Sequence, residues 1–252
     1  AAPDKRSVRP RAAYHLAHEL VEEQRRGETV IASTLDLTLQ TQVEAIASAA
    51  AADAKYGATT SIIVVNNKSR EVRSLVRSSG VDVDGGWMDL TRAVRSPGST
   101  LKPFIYGMAF DDGLLGADTV IDDMPQSFDG YSPENFDRKF RGEVRASEAL
   151  QHSLNLPAVR VLDRLGADRL ATALESAGVA LFGPQRAEAG FGLTLALGGA
   201  GVAARDLAVL YSALADHGAA KPLVWTIDNE KQRGEAKAHR ILTAESAERI
   251  TN

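Results

Sequence analysis

The chain contains no cysteine. This excludes disulfides, a thiol nucleophile and thiolate-held metals, and it leaves the compartment open, because many exported proteins also lack the residue. No apolar run approaches the length of about 18 residues that a membrane span needs, and no signal-peptide pattern opens the sequence. The chain therefore reads as soluble, with any membrane anchor outside it. An excess of one charge is missing too. Lys and Arg number 29 against 33 Asp and Glu, interspersed to a formal charge of -4, which leaves no electrostatic footprint for nucleic acid. Lys5, Arg6, Arg9 and Arg11 do cluster, and they read as a solvated linker. His15, His18, His152, His217 and His239 are scattered without an HExxH-type pattern, so no metal site is expected. What is present is ordinary for a globular protein: 252 residues, 44% apolar and 25% charged, enough for one large core or two small ones.

Residues 1–28 mix Arg, Lys and Pro with one amphipathic patch (Ala12, Tyr14, Leu16, Leu20, Val21) and read as a connector that becomes helical. The spacing predicts a short strand over Thr29–Leu35. A helix capped by Asp36 then runs to Ala52 with Leu39, Val43, Ile46 and Ala47 on its apolar side. A hairpin follows, with arms Thr59–Val65 and Glu71–Val76 joined at Asn66–Ser69. Ser78–Gly86 reads as an exposed loop. Leu114–Gly142 is rich in Asp, Pro, Gly and Ser and too long for a plain connector, so it is expected to line a site. Helices are predicted at Ala146–Leu150, from Pro157, over Asp168–Ala177, over Ala204–Ala215, and from about Ala244 to the end. The glycine turn Gly198–Gly201 has no lysine at the spacing of a phosphate-binding loop. The pattern as a whole is a strand hairpin followed by helices, an α+β class.

Chemistry concentrates at Arg95–Phe104, RSPGSTLKPF. Pro97-Gly98 breaks what precedes it, so a helix is expected to start at or next to Ser99. On that helix Ser99 and Lys102 share a face and could meet, a nucleophile with its base beside it. Pro103 is tolerated in a first turn, where its missing donor has no intrahelical partner. By itself the pair is weak, because on the order of one SxxK match is expected by chance in a chain this long. On these four residues alone a capping serine followed by a solvated lysine is the favoured reading.

Three further segments change that: Tyr131–Phe136 (YSPENF), Ser147–Val159 (SEALQHSLNLPAV) and Gly192–Gly199 (GLTLALGG). In this order and spacing, the four segments resemble the transpeptidase domain of bifunctional class A penicillin-binding proteins, and the arginine-led start is most similar to their 1C branch. The resemblance implies a serine transpeptidase and β-lactamase-like fold, an antiparallel sheet flanked by helices plus a mostly helical lobe, over 29–252. Residues 1–28 would be the linker after a glycosyltransferase domain. It implies Ser99 as the acylated nucleophile, Lys102 as its base, Ser153 as a proton carrier and Asn155 as a substrate-binding carboxamide, with no cofactor and no metal. It places the reaction on the periplasmic face of the inner membrane, with peptidoglycan stem peptides and β-lactams as ligands and other cell-wall synthesis proteins as partners. Leu154 stands between Ser153 and Asn155 where related enzymes often carry aspartate. The Lys-Thr-Gly or Lys-Ser-Gly triplet of the family's third motif is absent, and Lys221, followed by Pro222, is no substitute. On this resemblance a truncated domain with little activity by itself is expected.

Those implications lead to a D,D-transpeptidase acting through a serine acyl-enzyme. The alternative from another class is a low-turnover penicillin-binding or scaffolding domain, motivated by Leu154 and the missing triplet. A β-lactamase or carboxypeptidase ranks last, because no deacylating carboxylate stands in a matching motif.

Overall fold

The computed structural model describes residues 12–23, 30–54, 58–79, 86–183, 190–227 and 238–252. The basic cluster at 5–11, the expected boundary at residue 28 and most of the Ser78–Gly86 loop lie outside these. Within the chain two compact units separate, residues 1–91 with 223–234 and residues 92–222 with 235–252.

The first unit is built on a hairpin. Strands β1 (Ile62–Val65) and β2 (Val72–Val76) pair antiparallel. Asn66 closes the turn by accepting from the Lys68 and Ser69 N–H groups through its side chain. Helices α1 (Tyr14–Glu23) and α2 (Leu37–Asp53) belong to the same unit, Leu16 of α1 packing with Val72 and Leu75, and Val43 and Ala47 of α2 with Val76. Asp36 caps α2 as expected, accepting from Leu39 N–H at 3.0 Å.

Two expectations here need correction. Ile46 does not join the apolar side of α2 but is exposed, and Gln40 is buried there beside Val43 and Ala47. Its carboxamide donates to the Leu75 carbonyl and accepts from Leu75 N–H and Ser74 Oγ, so the helix is keyed to β2 by a satisfied polar group. No strand forms at 30–35, where only Ser33 bridges to Thr226. The Thr34 hydroxyl donates toward the Val72, Val224 and Trp225 carbonyls, which share its one hydrogen, and a strand needs a neighbour with a continuous ladder to give.

The second unit is mostly helical. Its centre is α3 (Lys102–Asp111), entered through a 3-10 turn at Gly98–Leu101 and buried on almost every side, as an apolar helix must be. Around it lie α4 (Ala146–Gln151), α5 (Asn155–Leu165), α6 (Ala167–Ser176) and α8 (Ala244–Thr251), with α7 (Ala204–Ala215) packed on α8. Gly107 permits this density, since a Cβ there would stand 2.6 Å from Leu242 Cδ1. Leu101, Phe104, Ile105, Leu162, Leu195 and Leu210 are fully or almost fully buried in one core, each worth about 1.5–3 kcal/mol in transfer alone. Two short antiparallel pairs complete the unit: β3 (Val120–Asp123) with β4 (Gly142–Arg145), and β5 (Ala219–Ala220) with β6 (His239–Arg240). The chain is thus α+β, with helices dominating and every sheet among the described residues two-stranded.

Candidate active site

All the candidate residues lie in the second unit. Gly98, at φ +55°, turns the chain into the 3-10 segment, and Ser99 sits on it exposed. The turn is held from three directions. Ser96 Oγ donates to the Gly198 carbonyl at 2.8 Å, Arg95 pairs with Val202, and Tyr211 Oη donates to the Thr100 carbonyl at 2.9 Å. Gly198 has no room for a side chain here, because a Cβ would come within 2.5 Å of Gly98 N and 2.8 Å of its Cα. The segment Gly192–Gly199 is therefore the buttress of the Ser99 turn.

Three residues after Ser99, the Lys102 side chain enters the core and retains 1% of its surface exposure. Its ammonium reaches four oxygens: the Ser153 carbonyl at 2.7 Å, Asn155 Oδ1 at 2.8 Å, the Leu154 carbonyl at 3.1 Å and Ser153 Oγ at 3.3 Å. No carboxylate is among these partners. Burial pushes the amine down to about 8, since hydrogen bonds to neutral oxygens do not make good the lost hydration of the charge. Among the described residues no hydrogen bond joins Ser99 Oγ to Lys102. The meeting expected from α-helical spacing does not occur, because Ser99 lies on a tighter 3-10 turn and four acceptors draw the amine elsewhere.

The oxygens converge because of how α4 ends. Ser153 N–H donates to the Leu150 carbonyl and Leu154 N–H to the Ala149 carbonyl, the two bonds of a Schellman motif. Its left-handed position, normally glycine, is Ser153 at φ +52°. Chain direction then reverses into α5, which starts at Asn155 rather than at Pro157. An incoming loop makes this earlier start possible, as Asn135 Oδ1 accepts from Asn155 N–H at 2.7 Å and supplies a cap to a donor with no helical partner. Pro157 then falls in the first turn, where its missing N–H costs nothing.

The loop expected to line a site packs against the candidate residues. Asn155 Nδ2 donates to the Glu134 carbonyl at 2.7 Å. Asn135 and Asp123, both buried, complete the surroundings and were not singled out by sequence reasoning. The one available signal was Asn135 inside the quoted YSPENF. Ser127, Phe128, Asp129 and Tyr131 of the same loop also line a 570 Å³ cavity with Asp163, Gly192, Leu193 and Thr194.

Comparison with known proteins matches residues 60–251 to the penicillin-binding protein transpeptidase domain. The chain belongs to that family. This transpeptidase-family chain is 40% identical over 195 residues to penicillin-binding protein 1C of Escherichia coli K12, covering 77% of the chain and 25% of the relative. Penicillin-binding protein 1F of Bacillus subtilis 168 is 34% identical over 161 residues, covering 63% of the chain and 21% of the relative. The chain thus spans about a quarter or less of these relatives. In fold it is similar to the penicillin-binding protein PonA1 of Mycobacterium tuberculosis, with a TM-score of 0.78 at 21% identity, over 94% of this chain and 66% of that one. A second PonA1 structure, in complex with penicillin V, gives a TM-score of 0.76 at 20% identity, over 94% and 68% of the two chains. The expected transpeptidase fold is the one observed.

Proposed function

We propose that this chain is the peptidoglycan D,D-transpeptidase domain of its protein and works through an acyl-enzyme on Ser99. The observation that carries the reading is Lys102, an amine buried among neutral oxygens and held near 8, three residues from an exposed serine. An aliphatic hydroxyl is a poor nucleophile until a neighbour takes its proton, and at neutral pH an ordinary lysine has no free electron pair to do so. At a value near 8, roughly a tenth of the amine is neutral at pH 7.

In the proposed reaction Ser99 Oγ attacks the carbonyl between the two terminal D-alanines of a stem peptide, and Lys102 Nζ takes its proton. As the C–N bond breaks, the proton passes through the Ser153 hydroxyl, within 3.3 Å of Lys102 Nζ, to the departing D-alanine amine. An amine of a second stem then attacks the Ser99 ester and forms the cross-link, and the serine recovers its proton. A β-lactam opens on Ser99 in the same way. Asn155 gives one N–H to Glu134 and its oxygen to Lys102, so its second amide N–H is the group that meets a substrate carbonyl. The reaction belongs on the periplasmic side of the inner membrane, where the peptidoglycan is. The family's third-motif triplet is not in this sequence, and the roles proposed here stay with Ser99, Lys102, Ser153 and Asn155.

Incubation of the full-length protein with a fluorescent penicillin tests the assignment. A covalent label that disappears in Ser99→Ala is expected, and a label that survives this substitution sinks the reading. Cross-linked dimers made from a lipid-linked precursor separate a working transpeptidase from a penicillin-binding scaffold.

A further inference from the structure

Behind the catalytic oxygens stands a second set of polar groups that the acylation chemistry does not use. Asp123 ends β3 with no exposed surface, and Asn135 is 4% exposed. Asn135 Nδ2 donates to Asp123 Oδ1 at 2.8 Å and Oδ2 at 2.9 Å and to the Lys139 carbonyl at 2.8 Å. Arg141 N–H also donates to Asp123 Oδ2, at 2.9 Å. Buried polar groups held this fully usually specify one arrangement.

The orientation of each group follows from the one before. Asp123 accepts at both oxygens, which requires a donor and not an oxygen on the facing side of Asn135. Asn135 therefore turns its NH2 to Asp123 and Lys139, and its Oδ1 must face Asn155, whose N–H it accepts at 2.7 Å. The Glu134 carbonyl next to it fixes the Asn155 NH2 at 2.7 Å. With its NH2 on that side, Asn155 turns Oδ1 to the Lys102 ammonium, which donates to it at 2.8 Å. Tyr106 packs beside this set with its hydroxyl buried and without a hydrogen-bond partner. Burial and the neighbouring Asp123 charge push that phenol well above its ordinary range, so it stays neutral there.

We infer that Asp123 and Asn135 are positioning residues for Lys102: a buried carboxyl sets the Asn135 amide, Asn135 and Glu134 set Asn155, and Asn155 holds the amine in place for the nucleophile. The inference rests on the reading of Lys102 as the base of an acylated Ser99. It adds that reactivity at Ser99 depends on two buried side chains, Asp123 and Asn135, that hydrogen-bond to neither Ser99 nor Lys102.

The test uses the full-length protein, with Asn135→Ala as the main variant and Asp123→Asn as the second. Endpoint labelling by fluorescent penicillin counts competent molecules, and the acylation rate is read per competent molecule across a pH series. Wild-type label at Ser99 establishes the underlying reading first, and its absence ends that reading rather than this one. With the wild type labelled, acylation in Asn135→Ala is expected to fall about tenfold or more. The pH at half-maximal rate is expected to drop by roughly half a unit or more, because a hydrogen bond to the charged form of the amine has been lost. Asp123→Asn should move both quantities in the same direction and by less. Unchanged rate and pH profile in both variants overturn the inference. So does loss of folded protein in both variants, judged by circular dichroism, since the pair would then hold the fold and not the lysine.

Discussion

The two halves of the candidate site are built in opposite ways. Around Lys102 the oxygens are set in advance: the turn that ends α4 presents those of Ser153 and Leu154, and hydrogen bonds that run back through Asn155 and Asn135 to a buried carboxyl place that of Asn155. Ser99, three residues earlier, is exposed and makes no hydrogen bond to that lysine. The difference teaches where the folding energy has gone. A buried amine without a carboxylate partner is costly and must be surrounded by acceptors in advance. A serine hydroxyl costs nothing in water and needs no such preparation, and in the proposed reaction the prearranged half is the one that handles the proton.

The largest expected effect breaks the prearranged half. Lys102→Ala should slow penicillin acylation by about a thousandfold or more, measured by single-turnover labelling, while Ser99 itself stays intact. Ser153→Gly sharpens the contrast. Glycine relieves the left-handed strain and should raise stability by about 0.5–1 kcal/mol in thermal melts. The hydroxyl lost with it should lower acylation by about a hundredfold. On the exposed half, Gly198→Ala would crowd Ser96 and Gly98 in a backbone shape that alanine disfavours. It should destabilise by about 2 kcal/mol and weaken labelling without moving the pH profile.

The smallest effect is graded. In the proposed reaction the neutral form of Lys102 takes the serine proton, so the acylation rate should rise about tenfold per pH unit up to a midpoint near 8 and level off above it. Stability runs with the same group. Its folded value lies below the ordinary 10.5, so charging the buried amine destabilises the fold. That penalty is complete below pH 8 and is relieved as pH rises from 8 toward 10.5. A profile flat through this window would remove Lys102 from the base role.

Local features were legible in the sequence. Asp36 as a cap, the Asn66–Ser69 turn and the helix at Ala204–Ala215 stand as read, because capping and turn chemistry act over a few residues. The strand expected at Thr29–Leu35 fails for the converse reason, since β-propensity means little until a partner presents its ladder. The exposure of Ile46 and the burial of Gln40 follow from which face of α2 meets β2, a choice that a nearly uniform alanine-rich helix does not announce.

The sequence by itself determined the chemistry available: a serine and a lysine three apart, a second serine and a carboxamide downstream, and no thiol to compete with them. It could not determine which of these groups touch. The tertiary structure sends the Lys102 amine to Ser153, Leu154 and Asn155 and not to Ser99, and it recruits Asp123 and Asn135 from a loop and a strand end. The reason is that a buried charge takes the arrangement that satisfies most of its hydrogen bonds, and segments far apart in the chain supply those partners.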